Sequence, residues 1–206
     1  MTMTEQWDRL LTWCDRFAPL TRHAVRPPVG EATLKAAQAA APAPWPDELR
    51  RFFALQGGTY THTRSGVDLG TLLPQTTLLS LDEALAAPTP AARTRPDTVA
   101  AGHRRATPPA QCREDTDAPP PIACVPFAAG ADHHLVVVTE PGPHRGAVIE
   151  YRPGGAPTRP ARWDSLAHLL AELVSSLHHH TPFARWHPIP ADRKLTWSTH
   201  PPPSAA

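Results

Sequence analysis

Histidine supplies the most visible chemistry in this chain. His133-His134 and His178-His179-His180 offer imidazoles, which suit zinc, copper or nickel. Successive side chains on a helix point in different directions, so the triplet cannot act as a three-fold ligand without a loop. It directly follows Leu177, at the end of an apolar helical stripe, where imidazoles complement the helix dipole. A polar helix-end cluster is therefore the preferred reading, and no metal or cofactor is expected. Cys124 lies between Ile122, Val125 and Phe127, surroundings that favour a buried, inert thiol over a nucleophile. Asp132, Glu140, Glu150 and Asp164 are carboxylates of the same stretch. Acid–base work would need two of them in one cleft, whereas turn and N-cap roles account for Asp132 and Asp164. Arg50-Arg51 reads as the solvated face of a helix, and Trp45, Trp163 and Trp186 read as packing residues. Gly142 and Gly146 are turn glycines rather than a phosphate cradle, because no helix starts there. The nucleophile elbow, the phosphate loop, the zinc-protease helix and the dinucleotide glycine set are all missing from the sequence.

These residues need a scaffold, and the stretch from Ile122 to Leu177 is the most strongly patterned part of the chain. Three apolar runs, Ile122–Phe127, His134–Thr139 and Ala147–Arg152, are separated by Gly- and Pro-containing turns. That pattern predicts an antiparallel meander. Leu166, Leu169, Leu170, Leu173, Val174 and Leu177 then fall on one face of a helix. A sheet and a helix that each carry an apolar face bury them together.

Upstream, Trp7, Leu10, Leu11, Cys14, Phe17 and Ala18 predict a helix with Thr4 as N-cap and Pro19 at its end. Glu31–Ala41 is an Ala-rich helix packing through Leu34. Pro46 and Asp47 begin a further helix, which buries Leu49, Phe52 and Phe53 and stops at Gly57-Gly58. Thr59–Arg64 is a candidate strand. Ser80 and Glu83 form a capping box opening a short helix.

The chain has 206 residues, 27 of them proline, so part of it is expected to be extended. A formal charge of +1 nominates neither nucleic acid nor a membrane surface as partner. The three cysteines, Cys14, Cys112 and Cys124, share no metal spacing, and their odd number favours reduced thiols. With no signal-peptide pattern and no long apolar run, the expectation is a soluble, cytoplasmic protein. The organisation follows: residues 1–86 form the helical part of one domain, 87–121 a Pro/Ala/Arg-rich flexible insertion, 122–178 the sheet and closing helix, and 179–206 a Pro-rich tail. Phe183, Trp186, Ile189, Leu195 and Trp197 in that tail suggest a strap laid on the domain, with its last residues frayed.

The order of these motifs resembles the SUKH superfamily, which includes fungal cell-wall-synthesis regulators of the Smi–Knr type. The resemblance is carried by Trp45-Pro-Asp-Glu-Leu-Arg-Arg-Phe-Phe-Ala-Leu-Gln-Gly-Gly58, by Leu72-Leu-Pro74 and by the segment from Leu78 to Ala86. It continues through Cys124-Val-Pro-Phe-Ala128, Gly130-Ala-Asp132, Leu135 to Val138, Glu140-Pro-Gly-Pro143 and Gly146-Ala-Val-Ile149, and ends at the closing helix. It spans roughly residues 5 to 178 around the insertion. It implies an α+β domain with a mostly antiparallel central sheet flanked by helices. For function it implies a non-enzymatic immunity protein that binds and neutralises a cognate polymorphic toxin. Two positions depart from the family pattern. Val138 stands where an Asp often ends the strand before the Pro-Gly turn, so that polar contact is either missing or moved to Glu140. Cys124 or Val125 replaces a tryptophan often found before the Pro-Phe pair.

Partner contacts are expected on turns carried by the rigid core, at Asp132, His133, Glu140, His144 and Arg145. The expected partner is a protein, a toxin domain. Two alternatives stand beside this reading: a regulatory scaffold binding a host protein, and a metal-dependent enzyme using the histidines.

Overall fold

The computed structural model describes residues 1–41, 43–89, 122–153 and 161–201. The expected insertion therefore lies outside the described residues from position 90 onward, as do Cys112 and residues 202–206.

Thr2, not Thr4, caps the first helix, α1 (Met3–Phe17): its hydroxyl accepts from Glu5 N–H while the Glu5 carboxylate accepts from Thr2 N–H. This capping box satisfies two of the donors that a helix start leaves open. Trp13 rather than Phe17 completes the buried stripe of Trp7, Leu10 and Cys14, and Phe17 is 42% exposed. Pro19 does not merely end α1; it opens a second short helix, α2 (Pro19–Ala24). α3 (Glu31–Ala40) buries Leu34 and Ala37, and α4 (Asp47–Leu55) buries Leu49, Phe52 and Phe53. Gln56 ends α4 in an extended conformation, and of the two following glycines only Gly58 is left-handed (φ 97°). Arg50 on the outer face of α4 pairs with Glu31 at 3.1 Å.

The candidate strand at 59–64 is reduced to two isolated bridges, Val25 with Thr59 and His62 with Asp68. A strand forms instead at β1 (Thr77–Leu78), followed by α5 (Leu81–Ala86), whose Ser80–Glu83 capping box is as the sequence predicts. The meander forms as β2 (Cys124–Ala129), β3 (His134–Val138) and β4 (Val148–Tyr151), with β1 added antiparallel at its edge in the order β1-β2-β3-β4. A register shift between Pro126 and Ala128 bends β2. β1 pairs only with Ala128 and Ala129, so Pro126, which has no N–H to give, lies beyond its reach.

Alternation along the strands divides the sheet into two apolar faces. Val125, Phe127, Leu135, Val137 and Val148 join the main core with α1, α4 and α6 (Leu166–His179). Cys124, Val136, Val138, Ile149 and Tyr151 form a second, smaller cluster with Ile122 on the opposite face. Burial alone pushes the Cys124 thiol up to about 12, and burial likewise pushes Cys14 up to about 12. Both are poor nucleophiles, because the thiolate is the reactive form.

All six predicted stripe residues of α6 are buried. Its N-cap is Ser165, not Asp164: Ser165 Oγ accepts from His168 N–H at 3.1 Å. Glu48 of α4 adds a second acceptor, for Ala167 N–H at 3.3 Å, so a carboxylate sits at the positive end of the α6 dipole. His178 and His179 fill the last turn, and His180 caps it in the left-handed conformation (φ 53°). Burial, then the Arg9 charge, pushes His178 below the usual imidazole range, so the neutral form is favoured there despite the dipole.

The tail lies on the domain, with Phe183 and Leu195 in the main core and Trp197 against it, and it is folded as a hairpin, β5 (His187–Ala191) with β6 (Lys194–Ser198). Thr21 of α2 holds it: its hydroxyl accepts from Leu195 N–H at 2.8 Å and donates to the Leu69 carbonyl at 2.7 Å. Lys194 adds an ion pair to Asp68 at 2.5 Å. Gly70 (φ 72°) permits the approach, since a Cβ there would lie 2.4 Å from the Leu195 carbonyl oxygen.

Candidate functional site: a cleft lined by two Arg-Trp pairs

The five residues expected to form one partner surface separate into three places. Glu140 and His144 line a cleft of about 680 Å³ beside the smaller apolar cluster, with Ile122, Val138 and Ile149 among its walls. Arg145, exposed in the same turn, is tied to the domain. Its guanidinium donates to the Pro44 and Trp45 carbonyls, each at 3.1 Å, and ties the β3–β4 turn to the segment before α4. Asp132 and His133 line a different, polar cleft of about 190 Å³.

That polar cleft is built from distant parts of the chain. The β2–β3 turn supplies Asp132 and His133, and the end of β4 supplies Glu150 and Arg152. Arg162 and Trp163 come from the segment along the outer edge of β4, where Trp163 bridges Val148. Arg185 and Trp186 come from the loop between α6 and β5. Gln75 and Thr76, ahead of β1, close the remaining side.

Each wall has a local physical cause. His133 Nδ1 lies 2.9 Å from Asp132 Oδ1, and its ring packs over Gly130, where a Cβ would come within 2.7 Å of His133 Cε1. The hydrogen bond with His133, and then the Arg152 charge, hold the Asp132 carboxyl below the usual range. Glu150 lies 3.6 Å from Arg152 and 3.5 Å from Arg162, so two guanidiniums share one carboxylate. Trp163 is buried and stacks on Phe183, with ring centroids 5.4 Å apart. Its indole N–H donates to Glu172 Oε2 of α6 at 2.6 Å, and the other oxygen of Glu172 accepts from Ala184 N–H at 3.2 Å. One carboxylate on α6 thus fixes both the Arg162-Trp163 segment and the Arg185-Trp186 loop.

The same tripeptide, Ala-Arg-Trp, occurs at 161–163 and at 184–186. In both copies the guanidinium lies over the ring of the following tryptophan, at 4.8 Å for Arg162 and 5.6 Å for Arg185. Stacking of this kind pre-orients the planar fork of donors. The expectation that Trp163 and Trp186 are packing residues leaves Arg162 and Arg185 without a role. Trp163 does pack, and both tryptophans also line the cleft. The repeated tripeptide was the signal present in the sequence.

No protein-family model and no curated protein matches the chain. Among the described residues, no group of three His, Cys, Asp or Glu side chains is placed to hold a metal ion. No helix among them is long and apolar enough to cross a membrane.

Proposed function

We propose that this chain is a non-enzymatic protein-binding module of the SUKH type, acting as an immunity protein that binds and neutralises a cognate toxin domain. The observation that carries the binding reading is the arginine- and tryptophan-lined cleft. Tryptophan and arginine are the residue types that dominate binding energy at protein interfaces, because they combine large apolar area with directed hydrogen bonds. Here they sit on loops fixed to a sheet and to α6, so little ordering entropy remains to be lost on binding. The immunity assignment rests on the order of motifs that resembles the superfamily. Asp132 and His133 belong to this contact surface, together with Glu150, Arg152, Arg162, Arg185 and Trp186. Glu140 and His144 would contact a partner only where it extends over the neighbouring apolar cleft, and Arg145 would act by holding that turn.

The test is purification of the full chain from its native cells under non-denaturing conditions, with mass spectrometry of retained proteins. The expected result is a stoichiometric toxin domain whose toxicity is relieved when this chain is co-expressed. Retention of a housekeeping protein would replace the immunity reading by the scaffold reading. Retention of no stoichiometric protein would overturn the binding reading.

A further inference from the structure

We infer that the polar cleft is a receptor for a single carboxylate side chain, an Asp or Glu presented by a protein partner. The inference rests on the binding-module reading and specifies its chemistry. Two features of the cleft lead to it.

The first is a surplus of donors and of positive charge. Arg152, Arg162 and Arg185 face only two carboxylates, Asp132 and Glu150. Each guanidinium carries five N–H donors, and each carboxylate offers about four lone-pair sites. Arg152 and Arg162 divide Glu150 between them, and among the described residues no carboxylate lies within ion-pair distance of Arg185. The surplus of one positive charge matches a monoanion. A guanidinium fork recognises a carboxylate in bidentate fashion.

The second feature is size. About 190 Å³ is below the roughly 300–1,000 Å³ of sites that enclose a small-molecule ligand. It suits one side chain, with the half-exposed Trp186 and exposed Arg185 left to cover the backbone that carries it.

The probe is an acetylated, amidated tetraglutamate peptide, with tetraglutamine as control and inorganic phosphate as the free-anion competitor. The readout is the set of tryptophan indole N–H signals in a proton–nitrogen correlation spectrum of the full chain. The expected result is a saturable shift of the Trp186 indole with tetraglutamate and none with tetraglutamine, while Trp7 and Trp13 in the core stay in place. Double substitution Arg152→Ala/Arg185→Ala should weaken the peptide at least about ten-fold, the loss expected for a charge-assisted contact. Arg185→Lys keeps the charge and removes the fork, and should weaken it about three-fold or more. Unmoved Trp7 and Trp13 signals in each variant report that it is folded. Equal shifts with both peptides, an undiminished affinity in the folded variants, or phosphate binding as tightly as tetraglutamate would each overturn the inference. The two readings fail separately. A co-purified protein that binds the double variant as well as wild type removes the carboxylate receptor and leaves the module. Selective tetraglutamate binding by a chain that retains no protein removes the module and leaves the receptor.

Discussion

Substituting Glu172 tests whether α6 positions the cleft as well as filling the core. Its two oxygens hold Trp163 Nε1–H at 2.6 Å and Ala184 N–H at 3.2 Å. Glu172→Ala removes both acceptors. The indole is buried, with Trp163 2% exposed, so water entering past the half-buried position 172 replaces the carboxylate only in part. A hydrogen bond to a charged group contributes about 1.5–3 kcal/mol, and a stranded buried donor costs about 1–3 kcal/mol. The Ala184 bond is at an exposed position and contributes little once water replaces it. Alanine regains a few tenths of a kcal/mol through helix propensity. The expected net loss is about 2 kcal/mol, or roughly 4–8 °C in melting temperature for a chain of this size. Glu172→Gln keeps an oxygen for the indole but turns an amide donor toward Ala184 N–H, and should lose about half as much. Denaturant unfolding gives the free energies, and the Trp163 and Trp186 indole N–H signals report the cleft walls. In Glu172→Ala both signals should move and broaden while those of Trp7 and Trp13 remain. A loss below about 0.5 kcal/mol, or unchanged cleft signals, would show that the walls hold without Glu172 and would refute the positioning argument.

The hairpin depends on a hydroxyl in the same way. Thr21→Val keeps the volume but strands Leu195 N–H and the Leu69 carbonyl, so denaturant unfolding should show about 2–3 kcal/mol of lost stability; a loss below about 0.5 kcal/mol would refute it. Asp68 gives the hairpin a pH dependence. The bond from Lys194 and then the Gly70 N–H lower its carboxyl from an ordinary 3.8. Its contribution is therefore fully present above that value and fades as pH falls through the lower folded value. Urea titrations of wild type and Asp68→Asn should show a stability gap at pH 6 that narrows as pH falls below 3.8; a constant gap would contradict the pairing. The buried thiols predict that a Cys112→Ser variant reacts with a thiol-specific dye at pH 8 only on unfolding, since Cys14 and Cys124 are held near 12. Rapid labelling of the native chain would refute their burial.

Where a signal is local, the sequence carries it. The Leu and Val stripe of α6, the Ser80–Glu83 capping box and the three β-branched runs of the meander follow from periodicity and short-range hydrogen bonding alone. The tail hairpin was not legible for the opposite reason. Pro188 and Pro190 lie within β5, and the turn places Asp192 and Arg193 at positive φ without glycine, which local propensity disfavours. Thr21 and the 68–71 loop hold a conformation that its own residues do not demand. The same distinction governs the site. Alternation along β4 puts Glu150 and Arg152 on one side of the strand. Nothing local brings Asp132, Arg162, Arg185 and Thr76 to them. That convergence requires the Arg162-Trp163 segment to cross the edge of β4 and Glu172 to hold two segments at once. Likewise Arg145 lies in a turn that the sequence marks as exposed, and only the packing of that turn against Pro44 and Trp45 gives its guanidinium a structural role. Elements are set by short-range periodicity and capping, which one chain segment contains. The cleft is set by long-range packing between segments, which no single segment contains.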